Sequence, residues 1–63
     1  MRISIAAARV NKKLTQEQFA EKVGVSKSTV QKWESGASKP SIDKVEPICK
    51  VLEMSYDNIN WQG

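Results

Sequence analysis

Gly24 divides two stretches too short to fold alone and too regular to be loops. On its N-terminal side Phe19, Ala20 and Val23 recur at helical spacing, and on its C-terminal side Val30 and Trp33 do the same. Ser26 stands where a second helix needs its N-cap. Two short helices joined by a tight glycine turn make a helix-turn-helix, here over residues 16–35. Such a unit presents its second helix to a DNA major groove. The other residues must frame this unit, because 63 residues allow one small domain, 1–63. A chain of that length buries only about 60% of the surface exposed by its unfolded form, so the core must be compact and helical.

The flanking segments read as further helices. Ser4 is placed to cap a first helix running to about Lys12, with Ile3 and Ala8 as a hydrophobic staple. Ile5, Ala8 and the neighbouring alanines form a small inner face, and Lys12 and Lys13 suit the negative end of the helix dipole. Leu14 is an apolar plug in the connecting loop. Thr15 and Gln18 have the spacing of a capping box that opens the second helix, which Gly24 ends in a left-handed turn. The third helix spans Lys27 to about Ser35, and Gly36 stops it. After the loop Ala37–Pro40, Ser41 caps a fourth helix in which Ile42, Val45, Ile48, Cys49 and Leu52 recur at i, i+3, i+4 spacing. Pro47 inside it predicts a kink. Ser55 caps a last short helix, Tyr56 to about Asn60, that buries Ile59. The expectation is an all-α, compact five-helix domain with no sheet. Its core would be Ile5, Ala8, Leu14, Phe19, Ala20, Val23, Val25, Val30, Trp33, Val45, Ile48, Cys49, Leu52 and Ile59.

Composition removes whole classes of function. With one cysteine, Cys49, and no histidine, neither an intrachain disulfide nor a His/Cys metal cluster can be built. No nucleophile–base pair is evident either, so the reading is not an enzyme, with no cofactor, metal or small-molecule substrate. The cysteine usage fits a reducing, cytoplasmic setting. No long apolar run marks a signal peptide or membrane span. Residues 1–44 carry nine Lys/Arg against four Asp/Glu, whereas residues 45–63 carry one against three. Positive charge therefore travels with the helix-turn-helix half, as a phosphate-facing surface requires, although ordinary solubilising charge would look the same.

On a helical projection of the third helix, Val30 and Trp33 point inward with Thr29 beside them. Lys27, Ser28, Gln31, Lys32 and Ser35 point outward. That outward set can donate to guanine, pair with adenine and contact either base type through serine. A merely solvated helix face is the plain alternative. Phosphate-binding features nearby weigh against it. Thr15 and Gln16 lie at the N-terminus of the second helix, where backbone N–H groups are free, and Lys39 and Lys44 bracket the loop after the third.

The chain also carries spaced motifs: Arg9 ahead of Leu14-Thr15-Gln16, Ala20, Val23-Gly24-Val25-Ser26, Trp33-Glu34-Ser35-Gly36, Lys39-Pro40-Ser41, and Leu52 ahead of Ser55. On these it resembles the phage repressor and Cro family of helix-turn-helix proteins, also called the xenobiotic-response-element family, from about Ile5 to Ile59. The resemblance implies a five-helix, repressor-type domain acting as a homodimer on operator-like, palindromic double-stranded DNA. It implies a phage or prophage-type transcriptional regulator, bacterial or phage-encoded and nucleoid-associated. By the same resemblance Lys27, Ser28 and Lys32 would meet base edges, joined by Gln31 from the outward face. Gln16 would bind phosphate and brace the third helix, and the loop at Ser38 and Lys39 would touch backbone. The phosphate candidates are thus Thr15, Gln16, Ser26, Ser38, Lys39 and Lys44. Arg9 and Glu34 match the family's internal ion pair, a structural assignment.

Three positions depart from the family pattern. Lys13 and Glu53 stand where the family often has glycine, and Pro47 is unusual inside a helix. Each non-glycine residue left in a left-handed conformation costs roughly 1 kcal/mol. The rival reading is a protein-interaction module such as an antitoxin-like partner, which would not need Lys27, Lys32 and Lys39 on one face. The tail at Asn58, Asn60 and Trp61 is a candidate dimer contact, and Trp61 folding back on its own domain is the alternative. The absence of a linker-like tail after Trp61 points to a complete, Cro-like protein rather than the N-terminal part of a longer repressor.

Overall fold

The computed structural model describes residues 1–62, so Gly63, the last residue of the tail considered above, lies outside the described residues. The elements are β1 (Ile3–Ser4), α1 (Ile5–Asn11), α2 (Gln16–Val23), α3 (Lys27–Ser35), α4 (Ile42–Leu52), a single 3-10 turn (Tyr56–Asn58) and β2 (Ile59–Asn60). The starts of α1, α2 and α3 follow from side-chain caps. The Ser4 hydroxyl accepts from the Ala7 N–H, and the Ser26 hydroxyl accepts from the Thr29 N–H. The α2 capping box is complete, with Thr15 accepting from the Gln18 N–H and the Gln18 side chain accepting from the Thr15 N–H. Ser41 occupies the cap position of α4 but makes no cap bond, because its hydroxyl donates to Asp43 instead.

Helix ends are equally local. Leu14 N–H reaches back to Arg9 O at 3.2 Å, Val25 N–H to Ala20 O at 2.9 Å and Met54 N–H to Cys49 O at 3.1 Å. In each case the residue before the donor is left-handed: Lys13 at φ 59, Gly24 at φ 89 and Glu53 at φ 55. This is the Schellman ending, and the apolar donor residue packs inward each time. Leu14 is therefore a plug, as its place in the loop suggested.

The core brings together Ile5, Ala8, Phe19, Ala20, Val23, Val30, Trp33, Ile48, Leu52 and Ile59. Ala8 and Ala20 let backbones approach, while Phe19, Ile48 and Val30 have no exposed surface at all. Burying each large side chain of this kind contributes about 1.5–3 kcal/mol before entropy is counted. Four residues expected in the core are only half-buried: Leu14, Val25, Val45 and Cys49. Ile42 stands outside that expected core. It belongs to the apolar repeat of α4, yet it is 91% exposed, because it opens the helix beyond the reach of the core. Helix α4 runs as one element through Pro47.

Two expectations about the chain ends are corrected. Among the described residues there are four α-helices, not five, and a sheet is present. After Ser55, which makes no side-chain cap bond, the chain completes only the turn Tyr56–Asn58, then extends. β-branched Ile59 takes φ −106 and ψ 133 and pairs in parallel with Ile3, as Asn60 does with Ser4. Ile59 is buried as expected, but by a strand. Ile3 packs against the core from β1.

Candidate nucleic-acid interface

Gly24 and Ser26 set the angle at which α3 leaves α2. Val30 and Trp33 anchor one side of α3 in the core, so its other side must face solvent. Lys27, Ser28, Gln31, Lys32 and Ser35 are all exposed there, while Thr29 is half-buried. Among the described residues no carboxylate lies within 4.0 Å of Lys27, Lys32, Lys39 or Lys44, whereas Lys12 pairs with Glu53 and Lys50 with Glu46. Lys27, Lys32, Lys39 and Lys44 are thus uncommitted, and two lysines elsewhere sit beside carboxylates.

The hydroxyls are less free than a helical projection suggests. Ser26 Oγ lies 3.0 Å from Ser28 Oγ and 2.9 Å from Thr29 Oγ1, forming a small network at the start of α3. Ser35 donates to its own helix at Lys32 O. Thr15 and Gln16 open α2, and together with Arg9, Glu17 and Lys27 they line one shallow depression. The N-terminus of α2 and the first residue of α3, Lys27, meet there, which suits an anionic oxygen, and Glu17 opposes it. Ser38 and Lys39 are exposed in the loop before α4, and Lys44 is half-buried in its first turn. The structure thus groups Thr15, Gln16 and Lys27 and leaves Ser38, Lys39 and Lys44 as a separate flank.

Beneath this surface lies the Arg9–Glu34 pair. Arg9 Nε donates to Glu34 Oε2 at 2.7 Å and Nη2 to Oε1 at 3.3 Å, with the two side chains only 15% and 9% exposed. Nη1 donates to Leu14 O at 2.7 Å, so the guanidinium also holds the loop between α1 and α2. Gln16 Nε2 donates to Glu34 Oε1 at 3.0 Å, and Gln31 Nε2 lies 3.5 Å from Gln16 Oε1. The resemblance has Gln16 brace the third helix, and Glu34 and Gln31 are the partners through which it does so; no periodicity joins positions 16 and 31, so those partners went unread in the sequence.

A second surface was also missed. Pro40, Ile42, Val45, Cys49, Met54 and Tyr56 line an open, largely apolar groove beside α4. Burial raises the Cys49 thiol above its ordinary pKa. Trp61 does not reach out from the tail. Its Nε1 donates to Tyr56 O at 3.1 Å and its ring stacks on Tyr56 with centroids 5.2 Å apart. No group of three His, Cys, Asp or Glu among the described residues is arranged to hold a metal ion. No helix among them is long and apolar enough to cross a membrane.

The family described as helix-turn-helix matches residues 5–59, nearly the whole chain. The chain belongs to the helix-turn-helix family. It is of the phage repressor and Cro type. This helix-turn-helix domain is 39% identical over 51 residues to the HTH-type transcriptional activator BcrR of Enterococcus faecalis, covering 81% of this chain and 25% of that protein. It is 36% identical over 45 residues to the cryptic phage CTXphi transcriptional repressor RstR of Vibrio cholerae, covering 71% of this chain and 40% of that protein. With the antitoxin PezA of Streptococcus pneumoniae it shares 34% identity over 56 residues, 89% of this chain and 35% of that protein. The domain therefore spans well under half the length of each of these relatives. No solved structure matches it significantly.

Proposed function

We propose that this helix-turn-helix domain is the double-stranded DNA-binding part of a transcriptional regulator and that α3 reads an operator's major groove. The observation that carries the proposal is the outer face of α3. Core anchors Val30 and Trp33 hold it outward, and it bears Lys27 and Lys32, without a carboxylate partner among the described residues, with Ser28 and Gln31 between them. These four are assigned to base edges. Thr15, Gln16, Ser26, Ser38, Lys39 and Lys44 are assigned to phosphates on either flank. A homodimer on a palindromic site follows from the usual match between protein two-fold and operator symmetry, with half-site centres about 34–36 Å apart. The related proteins include a named activator and a named repressor, so a domain of this kind serves regulation of either sign.

Two substitutions test the assignment. Lys32→Ala removes base-edge donors, so it should cost roughly 1–3 kcal/mol on the best site and relax preference at one base pair. Lys39→Ala should weaken all sequences about equally and lower the salt slope by about one per subunit. Binding of each variant to a selected site and a scrambled duplex, at three or more salt concentrations, separates the roles. Uniform loss from both would make Lys32 a phosphate contact.

A second reading has its own support. The apolar groove at Pro40, Ile42, Val45 and Tyr56 and the similarity to an antitoxin both favour a protein-interaction module. If neither lysine variant changes binding to duplex DNA, that reading takes precedence.

A further inference from the structure

Four side chains form one chain of donors and acceptors running from the half-buried interior to the outer face of α3. Glu34, clamped by Arg9, is a carboxylate and can only accept hydrogen bonds. Gln16 must therefore turn its amide nitrogen toward Glu34, as the 3.0 Å contact from Nε2 to Oε1 records. With one N–H of that nitrogen on Glu34, Gln16 keeps its second N–H and its backbone N–H for a phosphate and turns its carbonyl oxygen toward Gln31. That oxygen can be met only by a donor, and Gln31 Nε2 lies 3.5 Å from it. Gln31 then has its own orientation set: the carbonyl oxygen leads outward and one N–H remains beside it. A glutamine on a free surface has no such preference, because its two ends exchange by a half-turn of the amide.

We propose that the Arg9–Glu34 ion pair, acting through Gln16, fixes which end of the Gln31 amide faces the DNA and so makes Gln31 select adenine. Adenine presents an N6 donor and an N7 acceptor in the major groove, which match an outward carbonyl with an adjacent N–H. Guanine presents two acceptors, O6 and N7, and its O6 opposes the leading carbonyl oxygen. Glu34 and Gln16 are positioning residues in this scheme and Gln31 is the reader. The ion pair thus has a consequence for specificity as well as for the fold. The inference rests on the DNA-reading proposal and goes beyond it, because a reading helix does not require any one amide orientation.

Selection of bound sites from a random duplex library, with wild type, Gln16→Met and Gln31→Glu, tests it. Helical circular dichroism and a melt of each variant accompany the selection. Wild type should show one position per half-site at which adenine is preferred over guanine by about ten- to a hundredfold. Gln16→Met removes the amide that orients Gln31, so preference there should fall to within about threefold while preference elsewhere persists. Gln31→Glu presents acceptors only and should move that position toward cytosine, whose N4 group donates. This variant alters an exposed side chain and tests whether Gln31 reads the base, and Gln16→Leu repeats the test of orientation should Gln16→Met not fold. An adenine preference that survives Gln16→Met at full strength, or a base choice unchanged by Gln31→Glu, overturns the inference while leaving α3 as the reading helix. A wild-type protein that selects no sequence overturns the DNA-reading proposal and this one with it.

Discussion

Helices α1, α2 and α4 finish with the same backbone geometry, yet only α2 finishes on glycine. Lys13 and Glu53, at φ 59 and 55, lie within the narrow left-handed region that side-chain-bearing residues can enter at a cost. Gly24 at φ 89, and Gly36 at φ 83 after α3, lie beyond that region. The difference separates the frame from the reading unit. At the ends of α1 and α4 the chain tolerates local strain, offset by Leu14 and Met54 packing inward and by the 3.0 Å bridge from Lys12 to Glu53. At the two ends that aim α3, the backbone turns further than any other residue would permit without distortion.

The largest effect tests what joins frame to reading unit. Trp33, 4% exposed, fills the space between α3 and the rest of the core. Trp33→Ala should cost about 3–5 kcal/mol and, in a domain this small, abolish a cooperative melt near room temperature. A near-wild-type melt would show that the two regions are stable independently.

Next come the glycines. Nothing lies within 4 Å of a Cβ built on Gly24, so Gly24→Ala should cost only the backbone term, about 1–2 kcal/mol. A Cβ on Gly36 would meet Gln62 O at 3.3 Å, so Gly36→Ala should cost more. Chemical denaturation of both variants gives the order, and equal costs would mean that the Gln62 segment yields freely.

The reverse substitutions should help. Lys13→Gly should stabilise by up to about 1 kcal/mol by relieving the left-handed strain. Glu53→Gly should gain less, because it also removes the partner of Lys12. If Lys13→Gly destabilises, the added freedom of the unfolded chain outweighs the strain, and the contrast between frame and reading unit is one of residue choice alone.

The smallest effect distinguishes α4 from the other helices at its start. The Ser41 hydroxyl, which caps nothing, donates to Asp43 and holds that carboxyl below its ordinary pKa. A carboxyl depressed in the folded state contributes stability above its unfolded pKa, and loses it as pH falls through the folded one. Asp43 is fully exposed, so the contribution is small. Melting curves of wild type and Ser41→Ala should differ slightly at neutral pH and converge in strong acid.

Reading the sequence succeeded where structure is set within a few residues. The Thr15–Gln18 capping box, the Gly24 turn and the bounds of α3 are decided by neighbours along the chain. The ion pair at Arg9 and Glu34 was legible only through the family motif, since nothing local links positions 25 apart. Periodicity placed Ile42 on α4, where it lies, but does not say where burial stops, because a helix can carry an apolar stripe past the end of the core it covers. The segment after Ser55 reads as helix by its cap and composition, and its extension depends on a partner, Ile3, at the other end of the chain. The Gln16–Gln31 link needed side-chain placement that no spacing rule supplies.

That last strand pairing has a kinetic meaning. The ladder Ile3↔Ile59 and Ser4↔Asn60 joins residues separated by almost the entire chain, whereas α2 and α3 are joined across a three-residue turn. Closing a long loop costs entropy that is recovered only after its ends meet, so contacts close in sequence are favoured early. The helix-turn-helix unit can assemble first, and the strand pair then acts as a late latch that fastens both ends of the chain to a core already formed.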